Sequence, residues 1–281
     1  MGSAALYAYR GAFLARCVAM SGSGQAVLDE PGIHGLLPGG RHRRIRLLVT
    51  DDRARDRLPT LIGDARAGMV TVCSAAAQCA ALLAGDPAWL SGTATAMICR
   101  DLQQVSAGGL PCGLTLRPVR RLADDATGGV PLEQAVAAAS RADPGITDPR
   151  ELADHLRALP RAFGLWAAVD DRGVVRATSG SAAFQATASV IFVNTDPDWR
   201  RRGIARAMTA IALHRARQAG ARSAGIDASE AGRELYLGLG FEAAAVITRF
   251  RLSQPVSAFP RDRAGELDIA QPVGREADAE R

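Results

Sequence analysis

The spacing of apolar and polar residues changes repeatedly along the second half of the chain. Short β-branched or alternating apolar runs predict strands, and apolar residues at every third or fourth position predict helices. For residues 113–252 they give the order β-α-α-β-β-β-α-β-α-β. The elements are strand Leu114–Val119, helices Leu132–Ala142 and Pro149–Leu159, strands Leu165–Val169 and Val174–Thr178 around a hairpin turn at 170–173, strand Ala188–Val193, a helix from Gly203, strand Ala224–Asp227, a helix carrying Tyr236 and strand Ala243–Leu252.

The first half predicts a smaller βαβαβ unit without an internal repeat. Its elements are strands Ile45–Val49, Met69–Cys73 and Ala94–Cys99, a polar helix Asp51–Ala67 disturbed by Pro59, and a helix Ala75–Leu83 capped by Ser74. This unit is expected to be a degenerate partner of the second half or a dimerisation element. The first nineteen residues are expected to be poorly ordered, and Met20 is an alternative start to Met1.

These patterns divide the chain into five parts. The parts are a partly disordered N-terminal segment (1–44), a small α/β domain (45–104), a linker (105–112), the larger domain (113–252) and a disordered Pro-, Arg- and Glu-rich tail (253–281).

The turn between strand Ala188–Val193 and the next helix is the main candidate site. Asp196-Pro197 ends the strand, and Arg200-Arg-Arg-Gly203-Ile-Ala205 opens the helix. The free N–H groups and positive dipole end of a helix start attract anions, and glycine lets a ligand approach the backbone. The turn therefore predicts a phosphate-binding site, with three arginines adding charge.

Two segments in this order resemble the GNAT N-acetyltransferase superfamily. Arg200-x-x-Gly203-x-Ala205 is similar to its acetyl-CoA motif, and the segment from Asp227 to Phe241 is similar to its closing tyrosine helix followed by Leu-Gly-Phe. The resemblance covers about residues 113–252. It implies a mixed α/β sheet of the GNAT-like acyl-CoA N-acyltransferase fold, here with an N-terminal α/β extension.

The resemblance also implies the site residues and their roles. Tyr236 would give a proton or hydrogen bond to the departing thiolate, and the motif strand would splay from its neighbour and hold the pantetheine. Ser229 stands where many relatives carry Asn, so it either holds pantetheine or a water or only caps the Tyr236 helix. The expected acetyl-CoA contacts are Val193, Asn194, Thr195, Arg200, Arg201, Arg202, Gly203, Ile204, Ala205 and Ser229.

The general base stays open, because the motif strand has no Glu. Asp196, Asp198 and Asp227 are each expected to be structural more often than catalytic, with Asp227 or a water the remaining choices. Surface roles are expected for all four histidines. An enzyme that acetylates a primary amine of a small molecule or peptide is our main hypothesis, and a non-catalytic acyl-CoA-binding or regulatory module is the alternative.

Composition narrows the remaining choices. The net charge is +5, but all 34 basic residues are arginines spread along the chain, so we expect coding bias rather than a nucleic-acid partner. The five cysteines have no metal-ligand spacing, which predicts no metal site and reduced thiols typical of a cytoplasmic protein. No apolar run is long enough for a membrane span. A homodimer is the expected assembly, if any.

Overall fold

One sheet of twelve strands carries both halves of the chain. The structure is a computed structural model, and it describes residues 4–20, 25–39, 44–63, 65, 67–106, 108–121, 128–143, 146, 148–157, 159, 163–184 and 186–252. The strands within these residues are β1 (Val27–Glu30), β2 (Ile33–Leu36), β3 (Arg44–Val49), β4 (Ala67–Cys73), β5 (Trp89–Cys99), β6 (Leu114–Arg120), β7 (Val130–Pro131), β8 (Gly164–Asp170), β9 (Val175–Phe184), β10 (Thr187–Thr195), β11 (Ser223–Ala228) and β12 (Glu242–Leu252). The α-helices are α1 (Ala4–Met20), α2 (Leu58–Ile62), α3 (Ala77–Ala84), α4 (Leu132–Ala142), α5 (Pro149–Arg157), α6 (Ile204–Gln218) and α7 (Glu230–Leu237).

The strand order confirms the predicted mixed α/β class. Across the sheet it is β1-β2-β3-β4-β12-β5-β11-β10-β9-β8-β6-β7. Neighbouring strands are antiparallel except for the parallel pairs β3–β4, β10–β11 and β6–β7. The element order from β6 to β12 agrees with the prediction, apart from the additional two-residue strand β7.

Helices cover both faces of the sheet. On β5, Ala96 packs in a cluster with α1, whereas Met97 packs with residues of α6 and α7. On β8, Ala167 packs with residues of α4 and α5, whereas Ala168 packs with α6. Because successive side chains of a strand point to opposite faces, α1, α4 and α5 lie on one face and α6 and α7 on the other.

The two halves of the chain exchange a strand at the centre of the sheet. Strand β5, from the first half, lies between β11 and β12 of the second half and is antiparallel to both. Strand β12 in turn lies between β4 and β5 of the first half. Each half therefore completes its sheet with a strand of the other.

The topology of the first half repeats that of the second. The series β3, α2, β4, α3, β5 corresponds to β10, α6, β11, α7, β12, and the first two strands of each series are parallel. Asp51 after β3 and Asp196 after β10 each cap a short 3-10 turn with the side chain. A structural repeat is thus present although the sequence shows none. The first half has Arg57 at the N-cap of α2, where the second half has Gly203 at the N-cap of α6.

Helix α1 corrects the expectation that the first nineteen residues are poorly ordered, which was wrong for the described residues 4–20. Tyr9, Phe13 and Cys17 recur at every fourth position, as one face of a helix does, and all three are buried. Arg10 on the same helix pairs with Asp29 at 2.7 Å.

Two other predictions in the first half are corrected. Residues 51–67 do not form one helix: a 3-10 turn at Asp52–Ala54 is followed by the short helix α2, which has Pro59 in its first turn. Helix α3 begins after Ala76 and has no side-chain cap, so Ser74 does not cap it.

The predicted disordered tail at 253–281 lies outside the described residues. None of the described helices combines the length and apolar character needed to cross a bilayer.

Candidate functional site

The parallel strands β10 and β11 separate part-way along their length. Their pairing ends at Ser189 and Gly225, although the strands run on to Thr195 and Ala228. On its other edge, β10 has a bulge between Ile191 and Asn194 opposite β9. A bulge bends a strand and redirects its edge. The splay that the resemblance implied is therefore present, and it turns backbone groups of β10 toward an opening instead of toward β11.

A helix start lies directly beyond this opening. Asp196 caps a 3-10 turn, and Gly203 then begins α6 in the left-handed conformation with φ of 76°. A Cβ built on Gly203 would meet no atom within 4 Å, so the space beside the glycine is open. The first N–H groups of an α-helix have no intrahelical carbonyl partner and carry the positive end of its dipole. The turn has the properties of an anion site.

Two of the three motif arginines brace this turn. Arg200 donates from Nη2 to the carbonyl of Ala142 at 2.6 Å and from Nε to the carbonyl of Thr195 at 3.3 Å. Arg202 donates to the carbonyl of Asp198 at 3.2 Å and lies 4.8 Å from the centre of the Trp199 ring. These contacts fix the turn against the end of α4, while both guanidinium charges stay close to the helix start.

A cavity of about 740 Å³ lies between the start of α6 and helix α7. It has the size of a small-molecule site. Thr195 lines it, and the buried Oγ1 of this residue makes no hydrogen bond to the described residues. The predicted contact residues that line this cavity are Val193, Asn194, Thr195, Arg200, Arg201, Gly203, Ile204, Ala205 and Ser229. Arg202 is the predicted contact that does not line it.

Tyr236 stands at the inner end of the cavity on α7. Its side chain is 7 % exposed and meets the ring of Phe241 edge-on at 5.8 Å. The turn after α7 brings Phe241 back, and its N–H donates to the carbonyl of Tyr236 at 3.0 Å. Burial raises the pKa of Tyr236 to about 12. The phenol therefore keeps its proton at neutral pH.

A second cavity of about 400 Å³ adjoins the first. Both cavities are lined by Val193, Asn194, Ser229 and Tyr236. The first half of the chain supplies Arg16, Arg46 and Met69 to the second cavity. The rest of its wall comes from α5, α7, β10, β11 and β12, with Asp143 and Ile146 between α4 and α5 and Ser229 before α7. The contribution of residues 1–112 to the site was not predicted, and the four-residue spacing of apolar residues in α1 was the signal that could have indicated it.

Asp227 borders the second cavity, unlike the other two aspartates considered as bases. The hydroxyl of Tyr9 donates to Asp227 Oδ1, and burial together with the Asp227 charge raises the pKa of Tyr9 well above its usual value. Asp196 instead is buried and pairs with Arg176 at 3.0 Å, and Asp198 is exposed outside both cavities. The structure therefore separates Asp227 from the two structural aspartates.

Ser229 occupies the N-cap position of α7, but its side chain makes no capping hydrogen bond. Its presence in both cavity walls leaves the hydroxyl beside the space where a ligand would lie. The capping role considered for this side chain is therefore not observed, whereas its place at the site is.

Two of the four histidines lie away from the open surface or at the second cavity, and the described residues also bear on the prediction of no metal site. His34 is buried against Asp29 at 2.7 Å, so the surface role expected of it was wrong, whereas His155 is half-buried and lines the second cavity. Burial lowers the pKa of His34 despite the Asp29 contact. Among the described residues, no group of three or more His, Cys, Asp or Glu side chains is placed to hold a metal ion.

Comparison with known proteins agrees with this geometry. Residues 161–243 match the family model of the acetyltransferase (GNAT) domain. A search of curated protein sequences finds no match.

Solved structures show the same fold at low sequence identity. A GCN5-related N-acetyltransferase from Kribbella flavida is 20 % identical, with a TM-score of 0.57 over 91 % of this chain and 97 % of that chain. A GCN5-related N-acetyltransferase from Sphaerobacter thermophilus is 16 % identical, with a TM-score of 0.50 over 82 % and 80 %. A tandem GNAT protein from the clavulanic acid biosynthesis pathway is also 16 % identical, with a TM-score of 0.50 over 82 % and 84 %. The predicted resemblance is confirmed: residues 161–243 match the GNAT domain model, and the chain shares its fold with these acetyltransferases.

Proposed function

We propose that the protein transfers an acetyl group from acetyl-CoA to a primary amine of an acceptor. The observation that carries this proposal is the meeting of two cavities at Asn194, Ser229 and Tyr236. One cavity contains an anion-binding helix start, and the other is lined by Asp227. A donor and an acceptor can therefore enter from different sides and react where the cavities meet.

Acetyl-CoA fits the first cavity by its chemistry. Its pyrophosphate would accept hydrogen bonds from the backbone N–H groups of Arg201 to Ala205, beside the open space at Gly203. Its pantetheine carries amides, which match the backbone groups exposed along β10 and the unpartnered hydroxyl of Thr195. Arg200 and Arg202, which are held in the turn by hydrogen bonds to backbone carbonyls, add positive charge beside this site.

The reaction forms one C–N bond and breaks one C–S bond. The neutral amine attacks the thioester carbonyl, and the departing thiolate takes a proton or a hydrogen bond from Tyr236. The proton that the nitrogen loses as the amide forms completes the thiol or restores the phenol. Because the pKa of Tyr236 is about 12, the phenol is protonated before each turnover. Exposed backbone N–H groups of β10 would stabilise the oxygen that becomes negative in the tetrahedral intermediate.

The acceptor ammonium must lose a proton before it attacks. Asp227, or a water held in the second cavity, would take it. Tyr9 donates to Asp227 and so fixes the orientation of this carboxylate. Exchange of Asp227 for Asn would separate the two routes: a base role predicts a lost acidic limb in the pH profile of kcat/KM, whereas a water route predicts an unchanged profile.

The test is a free-thiol release assay with acetyl-CoA and a broad panel of amines, with the acetylated product identified by mass spectrometry. Transfer to at least one amine, greatly reduced in Tyr236→Phe, supports the proposal. Isothermal titration of acetyl-CoA is the binding control. Binding without transfer to any amine would favour the non-catalytic module, and no binding at all would contradict both functions.

A further inference from the structure

We propose that the second cavity selects an acceptor that carries a carboxylate or a phosphate in addition to its amine. This inference rests on the proposed function, because it concerns the acceptor side of the same site. It follows from three arginines that the fold gathers there from distant parts of the chain: Arg16 on α1, Arg46 on β3 and Arg249 on β12.

The sheet places two of these arginines close together. Arg46 pairs with Met69 on β4, and Met69 pairs with Arg251 on β12, two residues from Arg249. Side chains two residues apart on a strand share a face. Arg249 lies on the same face as Ile247, and Arg46 on the same face as Leu48, and both apolar residues pack with α1. Both arginines therefore point toward the face that carries α1, where Arg16 stands.

Arg16 shows that this face is prepared for a negative charge. Its residue is only 9 % exposed, and its Nη1 donates to Ser189 Oγ at 3.1 Å. Its Nε is buried and has no hydrogen-bond partner in the described part of the chain. A buried N–H donor without an acceptor is unfavourable, so a bound anion would supply the hydrogen-bond partner that this Nε lacks.

The charges around the cavity leave room for an anion. The ion pairs found among the described residues include neither Arg16 nor Arg249. The carboxylates of the wall are Asp143, which is exposed, and Asp227, which accepts from Tyr9. Arginine binds carboxylates and phosphates with paired N–H donors. The amine would then lie toward Tyr236 and the acid group toward the arginines, in a cavity of small-molecule size.

The experiment compares matched acceptors that differ only in charge. The probes are ω-amino acids of increasing length with their terminal amides, and O-phosphoethanolamine with ethanolamine. Thiol release gives KM and kcat for each, and calorimetric titration of the same probes in the presence of CoA gives binding without turnover. The variants are Arg249→Met and Arg16→Lys. Arg251→Met is the matched control, because Arg251 lies on the same strand two residues away and does not line the cavity.

We expect an anionic probe to bind or react at least about tenfold better than its neutral partner, the effect of one charge-assisted hydrogen bond. Arg249→Met should remove most of that preference and leave the Kd of acetyl-CoA unchanged, and Arg251→Met should retain it. The phosphate and carboxylate pairs show which anion is preferred. Equal binding and equal KM for charged and neutral partners would overturn the inference. A preference for the anionic probe that survives in both Arg249→Met and Arg16→Lys would also overturn it. Failure of acetyl-CoA binding, measured separately, would instead contradict the proposed function.

Discussion

Replacing Gly203 by alanine tests the helix start as the phosphate site. Gly203 has φ of 76° and precedes α6, and the space where a Cβ would stand is open. The substitution therefore creates no clash in the free protein. Its effects are the strain of alanine in the left-handed region and a methyl group at the place where a phosphate would approach the backbone.

The two effects have different magnitudes. A non-glycine residue in the left-handed region costs roughly 1–2 kcal/mol, which would lower the free energy of unfolding by that amount. A hydrogen bond between an N–H group and a charged ligand contributes roughly 1.5–3 kcal/mol. If the methyl group or a rotated peptide removes one such bond, the Kd of acetyl-CoA should rise by about ten- to a hundredfold.

The chain contains a matched control at the other end of the same helix. Gly220 has φ of 96°, and a Cβ built on it would also meet nothing within 4 Å. Gly220→Ala should therefore cost similar stability in thermal or denaturant unfolding. Calorimetric titration should show weaker acetyl-CoA binding only for Gly203→Ala. Unchanged binding in Gly203→Ala, with the expected loss of stability in both variants, would refute the phosphate site at this turn.

Three further predictions test other parts of the site and the fold. Tyr236→Phe should lower kcat by about a hundredfold, the usual contribution of a general acid, without changing the Kd of acetyl-CoA. Since the protonated phenol is the active form and its pKa is raised to about 12, ionisation of Tyr236 should cause no loss of the wild-type rate in the neutral and mildly alkaline range. An equal loss in binding would argue for a packing role instead. Residues 113–252 expressed alone should not fold, because they lack β5 between β11 and β12. The full chain should unfold in one cooperative transition. A soluble, cooperatively folded fragment would contradict the strand exchange. Iodoacetamide should modify the exposed Cys112 and leave the buried Cys73 and Cys79 unmodified, because burial raises the pKa values of these two thiols to about 11. Mass spectrometry of the modified native protein measures this, and faster modification of either buried thiol would contradict the prediction.

The parts of the site that sequence could predict are local. Gly203 and Tyr236 lie in segments whose helix and turn patterns are readable over about ten residues. Both residues line the cavity, as most of the predicted contacts do. The open position beside the glycine depends only on the strand, turn and helix around it.

The parts that sequence could not predict join distant segments. Arg200 appears in the motif as a phosphate ligand, but its shorter hydrogen bond in the structure is to the carbonyl of Ala142, 58 residues away. Arg16 meets Ser189, and Tyr9 meets Asp227, 218 residues away. In each pair, the local sequence around one residue does not predict which residue it contacts. The position of α1 beside the second cavity could therefore not be predicted from the sequence.

The exchanged strands were hidden for a related reason. Strand β5 was predicted as a strand from its apolar run, and that prediction is confirmed. An apolar strand pattern predicts that both faces of the strand are buried, but it does not predict which strands are its neighbours in the sheet. Pairs such as Ala96 with Asp227 arise only when the two halves fold together. The repeated topology was hidden as well, because Arg57 stands at the N-cap of α2 where the second half has Gly203.

A crystal structure of the full chain with acetyl-CoA would test the central claim most directly. We expect the pyrophosphate within hydrogen-bond distance of the backbone N–H groups of Ile204 and Ala205. We expect the thioester sulfur beside the hydroxyl of Tyr236, with the acetyl group facing the cavity that contains Asp227. Acetyl-CoA bound elsewhere, or bound at the turn with its sulfur away from both Tyr236 and the second cavity, would contradict the account.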